Sequence, residues 1–255
     1  MTMTMKRLQT KQKHIVSTIT CLVVLSTIIA ASPIEVQNAF ATHCVANPPT
    51  DPPCYGREIS STTNYGNAFT TKVRDMSMTT ACNYIAAISQ WVVFPNGDWL
   101  ENGYTIGGFE DEPIQCIGDG NSEYSYHAYS ITGFDYTDNR DSAVSVNSIH
   151  TYEVSDLNKD KTWFWKDNGV NQEAIFVSYA SSLGQRTGGE TSHHSPTIPN
   201  THLTDIKYAN SAGTWVYWGA GTAQVESPFW VKLNCSPSYR HIHAGTTGSA
   251  TCTEY

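Results

Sequence analysis

Alternation with a period of two, interrupted at short intervals by Gly, Asn, Asp and Pro, most narrows what this chain folds into. The stretches "IAAISQWVVF", "YSYHAYSITGF", "AVSVNSIHTYEV", "KTWFWK", "EAIFVSY", "GTWVYWG" and "SPFWVKL" are rich in aromatic and β-branched residues, the types that pack well on a pleated, half-buried surface. No long segment carries a 3.6-residue apolar repeat flanked by caps, so helices are not expected. Asn96-Gly97 joins "IAAISQWVVF" to "LENGYTIGGF", and "DNG" joins "KTWFWK" to "EAIFVSY"; both are hairpin turn signals. In "AVSVNSIHTYEV", residues Val144, Val146, Ser148, His150, Tyr152 and Val154 are expected on one face of a single strand. Short strands recurring at roughly 8 to 15 residue intervals predict an all-β chain, an antiparallel two-sheet β-sandwich of jelly-roll type.

The N-terminus has a different character. A basic stretch, "MKRLQTKQKH", precedes the apolar "IVSTITCLVVLSTIIAA" and the small-residue triplet Ala39-Phe40-Ala41, the layout of a secretory signal. Residues 1–41 are read as that signal, cleaved after Ala41; the alternative is a retained anchor, because the run from Ile15 to Ala31 sits at the lower limit for spanning a bilayer. Lys6, Arg7, Lys11, Lys13 and Glu35 leave with the signal, which takes the formal net charge from −8 to about −11. A surface so acidic repels phosphate backbones and excludes nucleic acid as a partner. A secreted or extracellular location follows, with no transmembrane segment left after cleavage.

Six cysteines remain, with no C-x-x-C among them, and in an exported chain this pattern fits disulfides better than zinc. Of the pairings open to six cysteines, the sequential set is favoured because each bridge closes a short loop: Cys44 with Cys54, Cys82 with Cys116, and Cys235 with Cys252. Residues 42–80, rich in Pro, Asn and Thr, are expected to form an extended, irregular, disulfide-tethered lead-in. Residues 81–255 are expected to form one sandwich domain with a disulfide-bound C-terminal tail.

The order of "ISQWVVFPNGDWLENGYTIGG", "SIHTYEV", "KTWFWKDNG", "GGETSHH" and "GTWVYWG" resembles that of the glutamic peptidases, secreted concanavalin-like jelly-roll proteins. The resemblance runs from about Cys82 to Leu233. It implies two catalytic positions. The family's Gln falls in a Leu-Gln-Thr-Gly-like stretch, matched here by Leu100-Glu101-Asn102-Gly103, so Glu101 stands where the amide is expected; Gln90, one strand earlier, is the nearby substitute. The family's Glu is matched by Glu190. In the family a Glu activates water and the Gln steadies the oxyanion. A carboxylate in place of the amide removes that donor, unless Glu101 stays protonated beside Glu190 and donates, which would confine activity to acid pH.

Other constellations carry less. Glu190, His193 and His194 are metal-ligand types, but Gly188, Gly189 and Pro196 argue against the helix that would align them, and on an extended chain adjacent histidines point to opposite sides. "GGETSHH" is therefore read as a strand start at the sheet rim, with no metal assigned. His241 and His243 share a strand face without an evident third ligand. Asp156 to Asp160, and the loop holding Asp135, Asp138 and Asp141, are read as solvated acidic turns with at most weak calcium affinity; no other cofactor is expected.

Tryptophans are the broader signal. Trp99, Trp163, Trp165, Trp215 and Trp218, if exposed on one concave sheet, would form a stacking platform for sugar rings; filling a sandwich core is the other use of such side chains. Three functional readings result. The first is a secreted or surface-associated binding module for a polysaccharide or cell-envelope partner, using Trp99, Glu101, Glu190 and some of the tryptophans. The second is an acid endopeptidase of glutamic type, with Glu190 as base and Glu101 in the amide's place. The third is a structural coat or adhesion subunit.

Overall fold

The structure, a computed structural model, describes residues 54–77, 85–107, 123–133, 137–191, 197–219, 221–233 and 242–247. Every regular element among them is a strand. In chain order these are β1 (Cys54–Ser60), β2 (Gly66–Lys72), β3 (Ile85–Val93), β4 (Trp99–Gly107), β5 (Tyr124–Ser130), β6 (Thr137–Ala143), β7 (Ile149–Ser155), β8 (Thr162–Asp167), β9 (Val170–Phe176), β10 (Gly184–Thr191), β11 (Thr201–Ala209), β12 (Trp215–Tyr217), β13 (Thr222–Val225), β14 (Trp230–Leu233) and β15 (Ile242–Gly245). They form two antiparallel sheets. The first runs β13-β1-β10-β3-β4-β5-β6 and the second β14-β15-β11-β2-β7-β8-β9, with β12 pairing β11.

The two predicted hairpins are present. β3 and β4 pair from Ile85–Gly107 to Val93–Trp99 across the Asn96-Gly97 turn. β8 and β9 are joined by Asn168 and Gly169, both at positive φ, as a two-residue hairpin turn requires. The pleat then divides each strand of the first sheet between two faces. Ala86, Ile88, Val92, Leu100, Tyr104 and Ile106 point inward and meet Phe69, Tyr152, Val154, Trp163, Trp165 and Leu203 of the second sheet. This interior is two apolar clusters rather than one. The cross-strand row Thr187–Gln90–Asn102–His127 runs between them.

That polar row is bonded across the sandwich, although Gln90 Oε1 has no partner. Gln90 Nε2 donates to Asn102 Oδ1 at 2.9 Å, and Asn102 Nδ2 donates to the carbonyls of Glu153 and Lys166, each at 3.1 Å. His127 places Nδ1 2.7 Å from Asp141 and Nε2 2.8 Å from Glu173 on the opposite sheet. Burial alone pulls the His127 pKa down, and the two carboxylates more than offset it, so it is raised.

Three sequence expectations are corrected here. The 42–80 segment is not an irregular lead-in throughout: it supplies β1, between β13 and β10, and β2, between β11 and β7. β2 (GNAFTTK) is rich in Gly, Thr and Asn because close neighbours on both sides provide the burial and the backbone bonds. The stretch "AVSVNSIHTYEV" is not one strand. Asn147 takes a positive φ of 71°, Ser148 N bonds back to Ser145 O at 2.9 Å, and β7 begins only at Ile149. "GGET" does not open a strand at the rim, since it ends β10, which lies between β1 and β3.

Of the expected disulfides, Cys54 is in one. Cys44, Cys82, Cys116, Cys235 and Cys252, and with them the expected pairing, lie outside the described residues, as do the 1–41 signal, His193, His194 and His241. Among the described residues no helix is long and apolar enough to cross a membrane.

Removing the Asn102 amide strands the Gln90 side chain and two carbonyls of the second sheet. Asn102→Ala is expected to lower the unfolding free energy by ~1–3 kcal/mol, read as a fall in the urea midpoint without change in slope.

Candidate active site

The outward face of the first sheet carries both glutamates singled out from the sequence. Residues directly opposite one another across paired strands point to the same side. Register therefore places Tyr55, Glu190, Ala87 and Thr105 in one row, Arg57, Gly188, Ser89, Gly103 and Tyr126 in the next, and Arg186, Trp91 and Glu101 in a third. Glu101 and Glu190 thus share the face turned away from the second sheet, on β4 and β10, with Ser89 of β3 midway on the diagonal between them. Gln90 points inward into the polar row and cannot substitute for an amide at this site.

The paired glycines of "GGE" have separate reasons. A Cβ at Gly188 would lie 2.2 Å from Gly56 O, and one at Gly189 would lie 2.5 Å from the Phe229 ring. Gly188 lets β1 and β10 approach closely while adding no side chain to the middle of the face, and Gly189 admits Phe229 to the core beneath. Glu190 then stands at the end of a strand packed tightly on both sides.

Both carboxyls are out of water, Glu101 at 4% exposure and Glu190 at 9%. Burial pushes Glu101 up to about 7, against the hydrogen bond it accepts from the Tyr126 hydroxyl and the favourable influence of Ser89, Trp91 and the Arg57 charge. The Ser89 hydroxyl is itself fully buried and has no partner at hydrogen-bonding geometry. Glu190 is raised well above the ordinary carboxyl value, first by burial and then by the charge of Glu101; Arg57 alone opposes this. Tyr126 is raised by burial and by both carboxylates. The two acids behave as one coupled site.

Arg57 is the cation whose charge acts on both carboxyls, and Arg186, on the same face, lowers its pKa after burial does. The Arg57 guanidinium lies 3.4 Å from the Tyr55 ring centroid and 5.1 Å from that of Trp91, and its Nε donates to Gln224 Oε1 at 3.0 Å. Tyr55 meets Trp91 edge-on at 6.0 Å. The aromatic clamp and Gln224 hold a buried cation whose field reaches both Glu101 and Glu190. Sequence reasoning passed over Arg57, Tyr55 and Ser89, and weighed Tyr126 only as one of the aromatics of "YSYHAYSITGF". For the first two the available signal was the alternation Tyr55-x-Arg57-x-Ile59; nothing in the sequence distinguished Ser89.

The expected indole platform is not assembled. Trp163, Trp165 and Trp218 are buried in the core: Trp163 Nε1 donates to Tyr179 O and Trp218 Nε1 to Asn67 Oδ1, while Trp165 packs on His127 and Tyr129. With Trp163 and Trp165 inward, Phe164 faces out and lines a cavity of about 330 Å³ with Ser155 and Lys166. Trp215 is half-buried on β12, attached to the other sheet. Only Trp99 of the expected five shares the face of Glu101. The turn at Asp156 is occupied by protein groups, since Asp156 accepts backbone N–H bonds from Asp160 and Lys161; the expected acidic loop is instead strand at Asp138 and Asp141, which belong to β6, and Asp141 is bound to His127. Among the described residues no cluster of three or more His, Cys, Asp or Glu is disposed to hold a metal.

No protein-family model matches the chain, and no curated protein sequence matches it. Among solved structures it is similar to scytalido-glutamic peptidase with a transition state analog inhibitor, 12% identical, TM-score 0.50, covering 75% of this chain and 96% of that one. SCP-B, a member of the Eqolisin family of peptidases in complex with the tripeptide Ala-Ile-His, is 10% identical at TM-score 0.47 over the same shares of each chain. An alginate lyase from Alteromonas sp. 272 is 14% identical at TM-score 0.34, covering 53% of this chain and 55% of that one. The first of these likenesses establishes a shared two-sheet fold.

The raised carboxyls leave a mark on stability. Each holds its proton to higher pH folded than unfolded, so its contribution is complete below the unfolded value of 4.5 and is lost as pH rises toward about 7 for Glu101. In the Glu101→Gln/Glu190→Gln double variant this loss is absent. The stability gap between double variant and parent is expected to widen by a few kcal/mol, on the order of 1.4 per pKa unit, between pH 4 and pH 8 in urea titrations.

Proposed function

We propose that this chain is an exported endopeptidase of glutamic type in which two carboxyls replace the amide–carboxyl pair. The observation that carries the reading is the burial of Glu101 and Glu190 on one face in mutual electrostatic contact. Titratable groups driven apart from their ordinary values in a shared site are the mark of acid–base work. The fold likeness to a glutamic peptidase, at TM-score 0.50, supports the reading.

The hydrogen bonds favour a division of roles opposite to the one the resemblance implies. Glu101 accepts the Tyr126 hydroxyl and lies beside Ser89 and Trp91, so the negative charge resides there. Glu190 has only the Arg57 field on its side and keeps the shared proton. Glu101 then takes a proton from the attacking water, while the Glu190 O–H donates to the carbonyl oxygen as charge develops and its proton passes on to the leaving amine. Arg57 adds a positive field in a water-poor setting, where such a field is strongest.

A carboxylate base requires the pair to have lost one proton. Activity should therefore climb as pH rises toward about 7 rather than peak at the acid pH expected from an acid peptidase. Casein or a quenched peptide library assayed from pH 2 to 9 reads this directly. Glu101→Gln is expected to cost ~100-fold or more in kcat by removing the base. Glu190→Gln, which restores an amide opposite a carboxylate, is expected to retain measurable cleavage. The reverse pattern returns the base to Glu190, and a folded parent that cleaves nothing across the range removes the peptidase reading.

Tyr55, Trp99 and Tyr124 are only partly buried on this face, which favours a second reading, a non-catalytic hold on a polysaccharide or cell-envelope component. Retention on an insoluble glycan by a parent without cleavage would select it.

A further inference from the structure

Outside the carboxyl face, one end of the sandwich holds Ser148, His150 and Asp167 in a chain of hydrogen bonds. Ser148 Oγ lies 3.0 Å from His150 Nε2, and His150 Nδ1 lies 2.8 Å from Asp167 Oδ1. The other oxygen of Asp167, Oδ2, lies 3.0 Å from the same His150 nitrogen and accepts the Ser125 hydroxyl of the opposite sheet at 2.9 Å, which holds the carboxylate still. The imidazole stacks on Tyr152 at 5.8 Å and 16°. These are the contacts and the order of a nucleophile, a base and its orienting acid, a constellation recognised by geometry and role rather than by position in the chain.

Tautomer logic orders the protons. With Nδ1–H committed to Asp167, neutral His150 presents Nε2 as an acceptor, and the single Ser148 hydroxyl proton is shared between it at 3.0 Å and Ser145 O at 2.6 Å. When His150 is doubly protonated, Nε2–H donates to Ser148 Oγ, and the hydroxyl turns to Ser145 O, 2.6 Å away. The serine is therefore activated only by the neutral ring. Ser148 is reachable from solvent, at the foot of the turn created by Asn147. Val146 and Ile149, 39% and 67% exposed, stand on either side of it as an apolar lip.

We infer that Ser148, His150 and Asp167 form a second reactive centre, a serine nucleophile that accepts a small apolar acyl group from an ester. Ser148 Oγ attacks the ester carbonyl carbon and its proton passes to His150 Nε2. The carbon–oxygen bond to the alcohol breaks, and the alcohol leaves with that proton. Water then attacks the acyl-serine and gives a proton to the same nitrogen, which returns it to Ser148 Oγ as the carboxylic acid departs. Only water is consumed. The centre does not rest on the peptidase reading, since it shares no residue with the Glu101–Glu190 face.

The test is reaction of the intact chain with a fluorophosphonate, which loses fluoride to an activated serine, followed by peptide mapping. The label is expected on Ser148 and absent from Ser148→Ala; His150→Gln is expected to slow labelling by ~100-fold or more, with p-nitrophenyl acetate hydrolysis falling in parallel. Urea midpoints report whether each variant is folded, and Asp167→Asn serves if His150→Gln is not. A parent that carries no label at Ser148, or that labels there at a rate indifferent to the histidine and the aspartate, makes the trio a polar plug at the sandwich end and overturns the inference.

Discussion

The pleat of five neighbouring strands, β1, β10, β3, β4 and β5, places every group on the candidate face. Each strand serves two environments at once: odd-numbered β3 residues such as Ser89 and Trp91 turn outward, while Ile88, Gln90 and Val92 turn toward the second sheet. A slip of one residue in any of these pairings would move its entire set to the other face. The interior anchors the register, because the Gln90–Asn102 bond and the reach of Asn102 to Glu153 and Lys166 are available only in this alignment. A polar row inside the core is thereby coupled to the position of carboxyls outside it.

The face is electrostatically expensive. Two carboxyls are withdrawn from water with a single guanidinium whose field both feel, and Arg57 is itself buried against two aromatic rings. Such an arrangement lowers stability wherever both acids would ionise. It persists because the groups sit on rigid, doubly paired strands, and because Gly188 and Gly189 let the neighbouring chain and Phe229 close around them. A site built on strands rather than loops holds its spacing under that strain.

The elements read most readily from the chain were those with local signatures. Asn96-Gly97 and Asn168-Gly169 mark their hairpins by turn chemistry alone, whereas Trp163 and Trp165 flanking Phe164 left open whether that face of β8 met a second layer or solvent. β2 was hidden because a central strand between close neighbours tolerates Gly, Thr and Asn, which resemble loop composition, and β1 because the Pro-rich stretch before it reads as loop. Tyr55 and Arg57 were lost with them. Glu101 and Glu190 drew attention through their flanking motifs, yet their partners could not. Ser89 and Tyr126 differ in no local respect from other strand serines and tyrosines, and they matter only because register carries them to the same row. The tryptophans were misjudged for a related reason: an indole looks alike in sequence whether its strand face meets solvent or a second sheet.

Period-two alternation, turn residues and the absence of capped helical repeats were enough to determine an all-β sandwich, since these are properties of neighbouring residues and need no distant partner. Which face each side chain occupies, whether two glutamates some ninety positions apart meet, and which of them holds the proton were decided by tertiary structure. Burial and Coulomb interaction depend on groups brought together across strands, and no local stretch of the chain carries that information.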